Sequence, residues 1–180
     1  SKAFRTAREG KRGPVYVEVP VDVLESDGEW RGYERADTEV LKPEIKLVDE
    51  AVNLIESAKR PVIYAGGGVI SSDASEELVK LAEFMGAPVV TSVAGKGSIP
   101  ADHPLHAGLA NGNFGDPVAL ATVEESDLML ALGTRFSELG TGRWSLKVPN
   151  ILIHVNLDPQ VFNRVYKSSL AIKGDVKLFL

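Results

Sequence analysis

Cysteine is absent from the 180 residues. That excludes disulfides, thiolate metal sites and cysteine nucleophiles. Histidine is scarce. His103, His106 and His154 are the whole set, and none of their spacings is a usual ligand pair on a helix. No metal site is expected from this chain. Basic residues are outnumbered 20 to 25, which leaves a formal net charge of -5. Without a basic surplus to neutralise phosphates, nucleic acid is not an expected partner. The sequence has no apolar run long enough to cross a bilayer and no signal peptide, so no membrane partner is expected and the default location is cytoplasmic. Internal repeats and low-complexity tracts are also missing. The chain opens at Ser1 without a methionine and stops at "GDVKLFL", so both ends read as cut from something longer.

What is present fits an α/β protein. Hydrophobic residues make up 44% and charged residues 25%, the balance of an ordinary soluble domain. The length suffices for one well-packed domain and a remnant of another. Residues 1–9 read as a short helix ending at Gly10, and "PVYVEVP" (14–20) alternates like a strand closed by Pro20. From residue 21 to 42 the composition is charged and without a sustained period, which reads as a solvated linker.

Pro43 suits the first turn of a helix, and Ile45, Val48, Val52 and Ile55 follow at helical spacing. "PVIYA" (61–65) is a strand-type run. Asp73 and Glu76 form a plausible capping pair for a helix with Leu78, Leu81, Ala82 and Met85 on one face, closed by Gly86. "PVVTSV" (88–93), "DLMLALG" (127–133), "ILIHVNL" (151–157) and "SLAIKGD" (169–175) complete the strands, and Pro117 to Glu125 reads as a further helix. Apolar strands alternating with helices imply a parallel sheet covered on both faces.

In such a sheet, ligands sit outside the carboxyl ends of the strands. Four strand ends carry loop-type residues there: Gly66-Gly67-Gly68, Thr91 to Gly97, "GTRF" (133–136) and "NLDP" (156–159). Glycines permit close backbone approach, and a following helix start offers N–H groups to a phosphate. The same glycines could simply turn the chain from strand to helix. The stretch does not match the dinucleotide fingerprint, because Ser71 stands where the third glycine belongs and the second strand ends in Thr91 and Ser92 instead of an acid. Lys96 and Arg135 could meet a phosphate or be surface charges. Asp158 could accept from a ribose hydroxyl or cap a turn. Ser71, Ser72 and Ser75 lack a His–acid setting, His103 and His106 read as structural or exposed, and no carboxylate pair forms an acid–base couple. No catalytic residue is expected. The residues read as a binding domain.

Taken together, "RPVIYAGGGV", "PVVTSVAGKGSIPADHPLHAG", "SDLMLALGTRF" and "KGDVKLFL" resemble the central domain of thiamine-diphosphate-dependent enzymes of the acetohydroxyacid (acetolactate) synthase and pyruvate oxidase group. "KRGPVYVEVPVDVL" (11–24) resembles the end of the preceding pyrimidine-binding domain. The resemblance implies a three-layer α/β/α Rossmann-like domain with about six parallel strands over residues 43–180. It also implies a domain remnant over 1–24 and a linker over 25–42. The parent would be a 2-oxo acid carboligase or decarboxylase, a homodimer or tetramer, with N- and C-terminal domains as partners in the same chain. Thiamine diphosphate and Mg2+ would belong to that parent, since the Gly-Asp-Gly signature that holds them is missing here. The chain alone would then be inactive.

For the central cleft the resemblance implies FAD, ADP or coenzyme A, or nothing. FAD would lie along Gly66, Gly67, Gly68, Thr91, Gly133, Arg135 and Asp158. Phe114, Ser137 and Asn156 depart from the residues usual in flavin-containing synthases, which keeps ADP and coenzyme A in play. The rival expectations are a stand-alone nucleotide- or flavin-binding module without thiamine chemistry, and a purely structural domain.

Overall fold

The structure, a computed structural model, describes residues 2–33 and 39–180. It falls into two compact units, Ser1–Val40 and Leu41–Leu180. In the first unit α1 spans Lys2–Arg8, as the sequence predicts, and the Phe4 and Tyr33 rings meet edge-on at 5.7 Å. The strand expected at "PVYVEVP" does not form. Val15, Tyr16, Val17 and Val19 are exposed, and none of these residues pairs in a sheet. Alternation favours an extended backbone, but a strand exists only when a neighbour takes its N–H and C=O groups. One turn of helix, α2 (Val21–Leu24), stands at the head of the charged stretch read as linker. Residues 34–38 of that stretch lie outside the described residues.

The second unit holds a six-stranded sheet, all parallel. Its strands are β1 (Pro61–Ala65), β2 (Val89–Thr91), β3 (His106–Leu109), β4 (Leu128–Leu132), β5 (Ile151–Asn156) and β6 (Leu170–Lys173). The spatial order is β3-β2-β1-β4-β5-β6, the doubly wound order whose direction reverses between β1 and β4. Five of these strands are legible as apolar runs. β3 is not: "HAGL" is short, only partly buried and joined to β2 through a register shift. Gly108 within it has a φ of +105°, and a Cβ there would lie 2.6 Å from the Asp116 carboxylate, which accepts the Leu109 N–H.

Alternate residues of the central strands point to opposite faces. Ile63, Ala65, Leu128, Leu130, Leu132, Ile153 and Val155 form one core with helices α3 (Ile45–Ser57), α4 (Gly67–Ser71), α5 (Ser75–Met85) and α7 (Val176–Phe179). Val62, Tyr64, Met129, Ala131 and Leu152 form the other, under α6 (Pro117–Glu125) and the irregular chain around Phe136 and Leu146. Fully burying one such Leu or Ile contributes about 1.5–3 kcal/mol, so the strands anchor the fold.

Two local expectations are corrected. Helix α3 starts at Ile45 with Glu44 as its cap, so Pro43 lies outside it; Pro43 instead packs beside Gly174. Its core side is Leu47, Ala51, Leu54 and Ile55, while Ile45 and Val52 are exposed. Both stripes have helical spacing, and only packing on the sheet chooses between them. The Asp73–Glu76 cap does not form either. Ala74 caps α5 without a side-chain bond, and Asp73, at a φ of +57°, faces Lys177 at 3.4 Å. Gly86 does close α5, as expected.

Candidate functional site at the carboxyl edge of the sheet

Because every strand is parallel, each of the eight candidate residues lands on one edge. Gly66 leaves β1, and Gly67 and Gly68 open α4 directly, where the sequence pattern predicts a helix only farther on. Thr91 ends β2 and is buried, with its carbonyl accepting from Ala110 N–H at 2.9 Å. Gly133 leaves β4. Asp158 follows β5 and caps the short turn Pro159–Val161 through Oδ1 and Gln160 N–H at 3.0 Å. Lys96 and Arg135 are exposed.

The glycines bring β1 and β4 together at the reversal point. A Cβ on Gly68 would sit 2.4 Å from Gly133 Cα, and one on Gly66 would sit 2.5 Å from the Gly133 oxygen. Gly66 N–H donates to the Leu132 carbonyl at 2.8 Å and Gly68 N–H to the Gly133 carbonyl at 2.9 Å. Gly133 itself is left-handed, with a φ of +59°, where an L side chain costs about 1–2 kcal/mol. Gly67 differs from its neighbours. Its N–H has no backbone acceptor among the described residues. A Cβ on it would first meet Ala94 Cβ at 3.1 Å, in the Val93–Gly95 turn just before Lys96.

Beyond Gly133 the chain is held by β5. Thr134 is buried, and its carbonyl oxygen accepts from His154 Nε2 at 2.8 Å and Asn156 Nδ2 at 2.7 Å. Asn156 Oδ1 accepts from Asp158 N–H at 3.0 Å, which ties the ends of β4 and β5 together. His154 is 1% exposed, and burial holds its imidazole below the usual histidine range against the opposing pull of the Thr134 bond. Among the described residues its Nδ1 has no partner. Phe136, buried at a φ of +47°, packs between Tyr64, His154 and Tyr166 at 5.1–5.4 Å. Phe162 closes the box edge-on to His154 at 5.0 Å. Burial raises the Tyr64 phenol, whose hydroxyl lies 3.1 Å from both the Ala110 and Gly140 carbonyls.

Sequence reasoning misses His154 and Phe136. The available signal is the alternation in "HVN": two polar residues on the face of β5 that otherwise carries Leu152. A polar pair at the end of an apolar strand needs partners, and the sequence does not say which.

A family model for the thiamine pyrophosphate enzyme central domain matches residues 48–180. The chain belongs to that family. As its central domain, it is 38% identical over 98% of its length to the acetolactate synthase large subunit of Corynebacterium glutamicum. To the acetolactate synthase of Mycobacterium bovis it is likewise 38% identical over 98% of its length. It covers 29% of each of these relatives, so it spans about three tenths of the curated relatives it matches. Among solved structures, the benzoylformate decarboxylase of Polynucleobacter necessarius superposes with a TM-score of 0.77 over 99% of this chain and 34% of that one, at 23% identity. That likeness is one of fold: the α/β domain with six parallel strands recurs there. No helix among the described residues is long and apolar enough to cross a membrane.

Proposed function

We propose that this central domain serves a thiamine-diphosphate-dependent 2-oxo acid carboligase or decarboxylase of the acetolactate synthase type. The 38% identity to acetolactate synthase large subunits across 98% of the chain carries this reading. Such an enzyme, a cytoplasmic homodimer or tetramer acting as transferase or lyase, would comprise residues 1–24 as the end of a preceding domain, 25–42 as a linker, and a domain after residue 180. Thiamine diphosphate supplies carbanion-stabilising chemistry when bound. The residues here do not fit its Mg2+-diphosphate anchor. Such an anchor uses clustered oxygen ligands, and no group of three or more His, Asp or Glu residues able to hold a metal occurs among the described residues.

The carboxyl-edge crevice fits a nucleotide better. Gly67 offers an N–H without a backbone acceptor, Lys96 and Arg135 offer exposed cations, and Thr91 and Asp158 flank them on neighbouring strand ends. Gly66, Gly68 and Gly133 pack against each other beside them. FAD is the first ligand of choice, ADP or coenzyme A the second. In the whole enzyme this domain would supply shape and nucleotide binding, with no catalytic residue of its own.

Two measurements test the reading. The chain, given pyruvate, thiamine diphosphate and Mg2+, should release no CO2 and form no acetolactate, while the longer polypeptide carrying it should do both; turnover by the 180 residues alone would overturn it. Calorimetric titration should show FAD, ADP or coenzyme A binding more tightly than about 1 mM, which is about 4 kcal/mol. Gly67→Val should abolish that binding, because the side chain would fill the phosphate path.

A further inference from the structure

Two side chains of β5 converge on one carbonyl. The Thr134 oxygen has two lone pairs, and His154 Nε2–H and Asn156 Nδ2–H occupy both, at 2.8 and 2.7 Å. Because Asn156 Oδ1 accepts from Asp158 N–H, its amide orientation follows from the network. Donation from Nε2 likewise sets the neutral tautomer of His154 and leaves Nδ1 a buried acceptor with no partner among the described residues. An orphan acceptor is destabilising. A leucine would fill the same aromatic box without that penalty, but it could not hold Thr134.

What the clamp holds is a three-residue display. Thr134 and Phe136 are buried on either side of Arg135, which is exposed. Phe136 is kept in a left-handed conformation by the rings of Tyr64, His154 and Tyr166. With both neighbours pinned inward, the arginine is turned out at the carboxyl edge.

We propose that His154 and Asn156 are positioning residues: by saturating the Thr134 carbonyl they hold Arg135 ready for the phosphate of a nucleotide. This rests on the nucleotide reading of the same edge. The benefit is preorganisation, since a loop already ordered loses less freedom when the ligand arrives.

The test is a double-mutant cycle read by FAD and ADP titration. Asn156→Asp keeps the shape but sets an acceptor against the carbonyl, and Arg135→Met removes the cation. Each should weaken binding about tenfold, and the double variant should bind no more weakly than Arg135→Met alone. Fully additive losses would overturn the proposal. Amide exchange without ligand gives a separate reading. Exchange at Arg135 and Phe136 should quicken in Asn156→Asp while β1 and β4 stay protected; unchanged exchange would show there is no clamp. Should Asn156→Asp fail to fold, Asn156→Ala serves in both arms. The imidazole nitrogen shifts of His154 should report an Nε2–H tautomer, and an Nδ1–H tautomer would remove His154 from the clamp. If none of FAD, ADP and coenzyme A binds the unaltered chain, the nucleotide reading falls and Arg135 loses its assigned role, while the exchange arm still decides whether the loop is clamped.

Discussion

The two edges of the sheet are built differently. At the amino edge the turns are conventional: Asp127 accepts from Lys59 N–H at 2.8 Å and Arg60 N–H at 3.0 Å, and the Ser169 hydroxyl donates to the Asn150 carbonyl. An open concavity of about 580 Å3 between Val148 and Ser169 lies on this side, and none of the residues lining it has a positive φ. At the carboxyl edge, backbone meets backbone at Gly66, Gly68, Gly95 and Gly133. Phe136 is left-handed in the chain leaving β4, and Arg143 and Trp144 are left-handed farther along it. Among the described residues, Asn111 and His154 keep buried polar atoms without partners, and so does Ser168 at the amino-edge concavity. Strained conformations and unsatisfied groups persist only where the surroundings over-determine them, and they gather at functional sites. Left-handed backbone and glycine contacts are therefore the physical difference between the edges, independent of likeness to other proteins.

Neighbouring glycines give the largest expected contrast. Gly68→Ala drives a Cβ into Gly133 and should cost at least about 2 kcal/mol in urea unfolding followed by circular dichroism. Gly67→Ala meets Ala94 Cβ at 3.1 Å and the Ala94 carbonyl oxygen at 3.3 Å, a milder crowding that should cost about 1 kcal/mol. Equal costs would erase the distinction between a glycine locked against Gly133 and one beside Ala94.

Acid sharpens the comparison next. His154 has its folded-state pKa lowered by burial, so the unfolded chain binds the proton more readily. Its contribution is fully present above the ordinary value of 6.5 and is lost as pH falls through the folded value. Unfolding midpoints should therefore drop between pH 7.5 and 5.5, and His154→Gln should flatten that slope. A slope unchanged by the substitution would show that another group carries it.

The smallest effect is expected at the amino edge. The backbone bonds from Lys59 and Arg60 lower the Asp127 pKa below 3.8, so its contribution is present above 3.8 and lost as pH falls through the folded value. Asp127→Asn should remove part of the stability difference between pH 5 and pH 3 and leave the pH 7.5 to 5.5 range untouched. Because this carboxylate is exposed, solvent screening keeps the effect modest.

Much of the architecture is legible in the amino-acid pattern. Short apolar runs bounded by turn residues mark β1, β2, β4, β5 and β6, and their parallel arrangement places Gly66, Thr91, Gly133 and Asp158 on one edge. Periodicity is local, and so is what it reports. It cannot tell the Leu47 stripe of α3 from the Ile45 stripe, because both have the same spacing and only the sheet distinguishes them. Nor can it find β3, whose pairing with β2 supplies what its four residues lack.

The sequence by itself determined the α/β alternation, the two-sided core and the edge on which the loops collect, because burial and backbone period are written residue by residue. Tertiary structure decided the roles. It set Gly66 and Gly68 in contact with Gly133, placed Gly67 against Ala94, and closed His154 and Asn156 onto the carbonyl of Thr134, 20 and 22 residues away. Those assignments depend on which strand ends become neighbours, a property of the whole sheet that no single segment encodes.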